Sequence, residues 1–196
     1  MQIACVNLCD TMGYYERHLP HWHPEGKALF ITCRLYGSLP KTILSALREG
    51  KEKKPGRRFR AADRHLDKAE SGPVWLRDGR VAKCVLEALR FGETERKLYE
   101  LHAYVVMANH VHVLLSPRVP PATITKLLKG FTARKANEIL GRTGQRFWQE
   151  ESFDHWVRNA AEFERIRSYI EQNLVSAGLV SKPEDWPWSS ASEGRA

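Results

Sequence analysis

The apolar positions along this chain fall into runs whose period changes from two to about 3.6 and back. Residues 27–35 alternate, with Leu29, Ile31, Cys33 and Leu35 on one side, the period of a half-buried strand. Ser38 then stands where it can cap a helix over residues 41–49. Residues 61–92 read as helical, punctuated by Gly72-Pro73, with Val81, Val85, Leu86 and Leu89 as the buried stripe. The most apolar and most β-branched run is residues 104–115. Asn109 suits a turn, so this run predicts a hairpin, one strand ending near Met107 and the next beginning at His110. In a helix over residues 122–140, Ile124, Leu127, Leu128 and Phe131 fall at i, i+3, i+4 and i+7, and Gly141 ends it. Residues 145–157, with Phe147, Trp148, Phe153 and Trp156, predict a further strand. Asn159 and Glu162 have capping-box spacing and open a helix over residues 162–176, for which Gly178 is the natural stop. The order strand, helix, strand, strand, helix, strand, helix predicts an α+β domain with an antiparallel sheet and helices on one face.

Two features of this pattern carry chemistry. Strand side chains alternate, so His110 and His112 project together on the face opposite Val111 and Val113. Such a pair is more often two hydrogen-bonded core histidines than half of a metal site, and spacing alone does not mark it as a ligand pair. In the last helix the apolar stripe is Phe163, Ile166, Ile170 and Leu174, and Tyr169 and Asn173 share its edge, one turn apart. A phenol and an amide are thereby presented together. A third group of histidines, His18, His21 and His23, lies in a Pro-punctuated stretch and reads as a solvated surface or a nucleic-acid contact.

His110-Val111-His112 and the helix segment Arg167-Ser168-Tyr169-Ile170-Glu171-Gln172-Asn173 resemble the motifs of the single-tyrosine HUH transposases, most of all the REP-associated tyrosine transposases. Supporting blocks are Leu19-Pro20-His21-Trp22, Phe147-Trp148-Gln149, Phe153-Asp154-His155-Trp156, Ala177-Gly178-Leu179-Val180 and Trp186-Pro187-Trp188-Ser189-Ser190, so the resemblance spans residues 17–191. Ala108 and Leu174 stand where that family usually has proline. The resemblance implies a ferredoxin-like HUH endonuclease core carrying a C-terminal tyrosine helix. It assigns Tyr169 as nucleophile and His110, His112 and Asn173 as ligands of a divalent metal, Mg²⁺ with Mn²⁺ as substitute. The implied substrate is single-stranded or hairpin DNA with REP-like repeats, cut and joined through a 5′-phosphotyrosine intermediate by a monomer. No nucleotide cofactor is required, because the covalent link retains the energy of the broken bond.

Length and composition agree with a single domain over 1–196, divided as an N-terminal extension (1–26), a catalytic core (27–180) and a C-terminal tail (181–196). The 31 Lys and Arg against 23 Asp and Glu leave a net charge of +8, which favours an anionic partner. The densest basic stretch, residues 51–60, supplies Lys53, Lys54, Arg57 and Arg58 as candidate phosphate contacts, with Phe59 as a possible stacking surface for a base. Lys126, Lys129 and Arg134 add a basic side to the long helix. A charge run is usually no more than a solvated loop. Cys5, Cys9, Cys33 and Cys84 show neither zinc-ligand nor disulfide spacing, and no run reaches membrane-spanning length. A soluble, cytoplasmic protein working at a bacterial nucleoid is the expectation, with no membrane partner.

Two other functions compete on the same residues. A non-catalytic DNA-binding relative of such a transposase would bind DNA regardless of Tyr169. A small-molecule metallohydrolase would use His110 and His112, but the next alternate position is Leu114 rather than a third histidine.

Overall fold

In the computed structural model, which describes residues 15–16, 20–21, 26–49 and 55–195, the histidine hairpin lies within a four-stranded antiparallel sheet. Two two-residue strands, β1 (Tyr15–Glu16) and β2 (Pro20–His21), pair with each other ahead of it. The main sheet consists of β3 (Leu29–Arg34), β4 (Tyr99–Val106), β5 (His110–Pro117) and β6 (Phe153–Trp156), in the order β4-β5-β3-β6. The β4–β5 turn is closed by Met107 N–H donating to the His110 carbonyl at 2.9 Å. Register places Thr32 of β3 opposite His112 and Arg34 opposite His110.

Among the described residues five α-helices complete the fold: α1 (Lys41–Glu49), α2 (Pro55–Lys68), α3 (Gly79–Thr94), α4 (Pro121–Ile139) and α5 (Ala160–Ser176). One sheet face, bearing Ile31, Cys33, Tyr104, Val111 and Val113, is buried with Val81, Val85 and Leu89 of α3 and Ile124 and Ala136 of α4. The opposite face carries Phe30, Val105, Met107 and Leu114 and packs on Ile166, Ile170 and Leu174 of α5, so helices cover both faces of the sheet and not one face as the order of elements predicts. Ile170 and Leu174 are fully buried, each stabilising the docked helix by about 1.5–3 kcal/mol. Asn159 caps α5 by accepting the Glu162 N–H at 2.9 Å, and Gly178 follows its end at φ +70°. The helix continues through Leu174, the position where the resembling family usually has proline.

Several elements differ from the sequence reading. Helix α2 starts at Pro55, inside the basic stretch, because proline's fixed φ already suits a first helical turn. The strand expected over residues 145–157 is only four residues long. The first part of that stretch makes one isolated bridge, Trp148 to Leu35 just past the end of β3, and the chain then leaves the sheet, where Lys129 Nζ donates to the carbonyls of Gln149 and Glu150 at 3.0 Å each. On α4, Leu127 and Phe131 are exposed, and the inward stripe is Ile124, Leu128, Thr132 and Ala136. Buried Thr132 is tolerated because its hydroxyl donates to the Leu128 carbonyl and accepts from Trp148 Nε1. Helix α1 is opened by Pro40, whose carbonyl accepts the Leu44 N–H, while the Ser38 hydroxyl accepts from Arg34.

The tail runs along the outer edge of β4. Val106 N–H donates to the Trp188 carbonyl, Trp186 Nε1 donates to the Val106 carbonyl, and Ser189 bridges Val105. This covers backbone groups that would otherwise form an open sheet edge. Among the described residues no helix is long and apolar enough to cross a membrane.

Candidate active site

His110 and His112 are both fully buried on the face of β5 that α5 and α2 cover. Each has its Nδ1 engaged. His110 Nδ1–H donates to Asn109 Oδ1 at 2.7 Å, and His112 Nδ1 lies 2.8 Å from the Thr32 hydroxyl. The two Nε2 atoms therefore converge, 3.1 Å apart. Burial lowers the pKa of His110 to about 3, and burial with the neighbouring imidazole lowers that of His112 well below its usual value. Neutral rings with oriented lone pairs are the form that ligates metals.

Helix α2 brings two carboxylates to the same point. Asp63 Oδ1 is 3.4 Å from His112 Nε2 and 4.0 Å from His110 Nε2, and Asp67 Oδ1 is 3.6 Å from His110 Nε2. Because the imidazoles are neutral, these are close approaches rather than ion pairs. Asp63 is pushed up to about 8, first by burial and then by Asp67. Asp67 is pushed up to about 6 by burial, partly offset by its hydrogen bond with Asn173. Charge on these acids is costly in this pocket unless a cation compensates it.

Helix α5 completes the cluster. The Tyr169 hydroxyl donates to Asp63 Oδ2, and its ring packs 5.6 Å from His112 and 6.2 Å from Phe30, centre to centre. Tyr169 nevertheless remains 36% exposed and is open to solvent. Asn173 is buried one turn further on. Phe30, Phe59 and Phe153 form an apolar wall beside the imidazoles, with Phe59 stacked on Phe153 at 3.9 Å. Phe59 is thus engaged inside the site rather than held out as a free stacking surface.

The donor set fits a divalent ion. Asp63 Oδ1, Asp67 Oδ1 and Asn173 Oδ1 are buried oxygens without a hydrogen-bond partner. The carboxylate and imidazole donor atoms of Asp63, Asp67, His110 and His112 all lie within 4.8 Å of one another. Buried acceptors without donors are what a cation would satisfy.

The structure brings together the four residues singled out from the sequence: His110, His112, Tyr169 and Asn173. Asp63 and Asp67 join them without being marked by the sequence. Their only sequence signal is an i, i+4 acidic pair in a helical stretch, which ordinarily marks a solvated face. Of the basic candidates, Arg57 is exposed and Arg58 half-buried in the first turn of α2, on the helix that carries the carboxylates. Lys53 and Lys54, like His18 and His23, lie outside the described residues. Lys126 and Arg134 are exposed on α4, across the sheet from the site. Lys129 is instead a structural donor to backbone carbonyls.

Residues 77–173 match the model of the family described as "Transposase IS200 like". No curated protein matches the sequence. Among solved structures, a REP-associated tyrosine transposase bound to a REP hairpin is similar at a TM-score of 0.56 and 17% identity, over 93% of this chain and 84% of that one. A chain from Deinococcus radiodurans, described in its structure as a candidate transposase, gives a TM-score of 0.34 and 16% identity, over 78% of this chain and 98% of that one. The matched segment, just under half of the chain, runs from the helix ahead of the histidine hairpin to Asn173, taking in both histidines and the tyrosine, and over that segment the chain is similar to the IS200-like transposases.

Proposed function

We propose that this protein is a metal-dependent single-strand DNA endonuclease and strand transferase that acts on hairpin DNA through a 5′-phosphotyrosine intermediate. The observation that carries the reading is the position of Tyr169, a partly exposed phenol packed against the buried His112 ring and hydrogen-bonded to Asp63. A free phenol has a pKa near 10 and is a poor nucleophile at neutral pH. Here the hydroxyl has an acceptor in place for its hydrogen, and the helix that carries it is fixed by Ile170 and Leu174 in the core. Orientation of this kind is worth roughly 7–11 kcal/mol in the best intramolecular models.

His110, His112 and Asn173 would hold the ion, Mg²⁺ or Mn²⁺. When bound, a divalent cation polarises a phosphate oxygen and offsets charge as the phosphodiester reacts. The phenol oxygen of Tyr169 forms a bond to phosphorus as the bond from phosphorus to the 3′ oxygen breaks. One fragment keeps a free 3′-hydroxyl, and the other is held on the tyrosine through its 5′ phosphate. Attack by a 3′-hydroxyl on that link reverses the step and joins strands.

Hairpin DNA as substrate rests on the REP hairpin held by the similar solved structure and on the net charge of +8. Arg57 and Arg58 share α2 with Asp63 and are assigned to backbone phosphates near the site, with Lys53 and Lys54 just before them in sequence. Lys126 and Arg134, across the sheet, would meet only DNA that extends beyond it. The protein acts as a monomeric single unit in a bacterial cytoplasm. The test is a denaturing-gel cleavage assay on a library of REP-like hairpins with single-stranded 5′ extensions, in Mg²⁺ or Mn²⁺. Cleavage that leaves an extendable 3′-hydroxyl, and is lost in His110→Ala, supports the reading. Binding without cleavage across the library in either metal would replace it with a non-catalytic DNA-binding function.

A further inference from the structure

Helix α2 lies outside the segment that matches the family model, yet it reaches the centre of the site. Asp63 and Asp67 are one turn apart on α2, as Tyr169 and Asn173 are on α5. The two pairs face each other, the Tyr169 hydroxyl donating to Asp63 and Asn173 hydrogen-bonding to Asp67. Asp63 is 2% exposed and divides its two oxygens. Oδ2 takes the phenol, while Oδ1 is left without a hydrogen-bond partner 3.4 Å from His112 Nε2. Asp67 Oδ1 is likewise without a partner, 3.6 Å from His110 Nε2.

These separations have a simple geometric meaning. Donors about 2.1 Å from one ion stand roughly 3.0 Å apart at right angles and roughly 3.4 Å apart at the tetrahedral angle. The spacings of 3.1, 3.4 and 3.6 Å among Asp63, Asp67, His110 and His112 are close to that range, and the 4.0 Å from Asp63 to His110 exceeds it by about half an ångström. Two carboxylates would also supply the negative charge that two imidazoles and an amide lack. A dication held by neutral donors alone in so dry a pocket would bear an uncompensated desolvation cost.

We propose that α2 completes the metal centre: Asp63 and Asp67 are ligands alongside His110 and His112, and Asp63 ties the Tyr169 hydroxyl to the same ion through its second oxygen. This rests on the metal site of the proposed function and extends it. The ion then joins three elements, β5, α2 and α5, so that metal binding orders the nucleophile and the basic first turn of α2 together. In an octahedral ion the five protein donors, His110, His112, Asn173, Asp63 and Asp67, leave one position, enough for a phosphate oxygen.

The test is Mn²⁺ binding to the full-length protein, followed by electron paramagnetic resonance of free Mn²⁺ and by calorimetry, with no DNA present. His110→Ala should abolish binding, and Asp63→Asn and Asp67→Asn should each weaken it at least tenfold. Asparagine keeps the shape and a hydrogen-bonding group for Tyr169, and circular dichroism checks the fold. Should Asp63→Asn fail to fold, Asp67→Asn decides alone, since Asp67 is 23% exposed and less bound into the core. As a second readout, Mn²⁺ should slow amide hydrogen exchange over residues 59–68 in the wild type and not in the double Asp variant. If both Asp variants bind within twofold of wild type while His110→Ala does not bind, α2 supplies no ligand and this proposal falls while the metal reading stands. If wild type and His110→Ala bind equally, or neither binds, the metal reading fails and takes this proposal with it.

Discussion

Replacing Thr32 by valine removes one hydroxyl from the far side of a candidate metal ligand and leaves the ligand itself intact. Thr32 is 4% exposed and valine nearly matches its shape, so the change removes a polar group and opens no large cavity. What is lost is the 2.8 Å contact to His112 Nδ1. Because His112 is fully buried, the orphaned ring nitrogen finds no water, and the folded state should lose about 1–3 kcal/mol. The ring also loses the partner that sets its orientation, a change that typically costs about 10–100-fold in metal affinity. These effects separate in urea unfolding with and without Mn²⁺. At a free Mn²⁺ concentration of about 100 times the wild-type Kd, the ion should add about 2.7 kcal/mol to the wild type. The same concentration should add only about 0.4–1.4 kcal/mol to Thr32→Val. Thr32→Ser, which keeps the hydroxyl, should restore most of the increment. An equal Mn²⁺ increment in wild type and Thr32→Val would refute the claim that this hydroxyl holds His112 in its ligating orientation.

Other consequences follow from individual contacts. A Cβ at Gly92 would lie 2.9 Å from Tyr99 Cζ and closer still to its hydroxyl, which donates to the Leu89 carbonyl; Gly92→Ala should therefore cost about 1–2 kcal/mol in urea unfolding despite its better helix propensity. Glu162 is 4% exposed, and its hydrogen bonds with Arg158 are the main cause that holds its carboxyl down to about 2 from an ordinary 4.5. The sign follows: a depressed folded pKa gives stability that is complete above about pH 4.5 and is lost as pH falls towards 2. With the partner arginines mostly exposed, that contribution should be about 1–2 kcal/mol, and Glu162→Gln should flatten the acid limb of a stability–pH curve. Lys129→Ala should lower stability by about 1 kcal/mol, because two backbone carbonyls lose their donor, while leaving the salt dependence of hairpin binding unchanged in fluorescence anisotropy.

The sheet could be read from the chain wherever alternation was strict. Leu29, Ile31, Cys33 and Leu35 did face the core, and the hairpin turned between Met107 and His110. The same strictness brought out the histidine pair, because two histidines in a β-branched run break the pattern in a way that requires both to share one face. Tyr169 and Asn173 were visible as a polar edge on an otherwise regular helix. Reading failed where tertiary contacts overrode local pattern. On α4, four large apolar residues suggested one face, but the sheet accepts Thr132 and Ala136 instead, Thr132 being satisfied by Trp148, a residue distant in sequence. Lys129 looked like part of a basic surface because nothing local announces the carbonyls of residues 149 and 150. Asp63 and Asp67 escaped notice for the same reason. An acidic pair beside Arg64 and His65 looks solvent-facing until α2 is seen to pack against the histidine strand.

The central claim, that Tyr169 is a nucleophile poised beside the histidine pair, is tested most directly by mapping a covalent product. The purified protein would be incubated with Mn²⁺ and the hairpin that it cleaves best, then digested with protease and examined by mass spectrometry for a peptide carrying a 5′-phosphorylated oligonucleotide. The adduct should lie on Tyr169 and disappear in Tyr169→Phe. An adduct on any other residue, or cleavage that persists undiminished in Tyr169→Phe, would contradict the assignment.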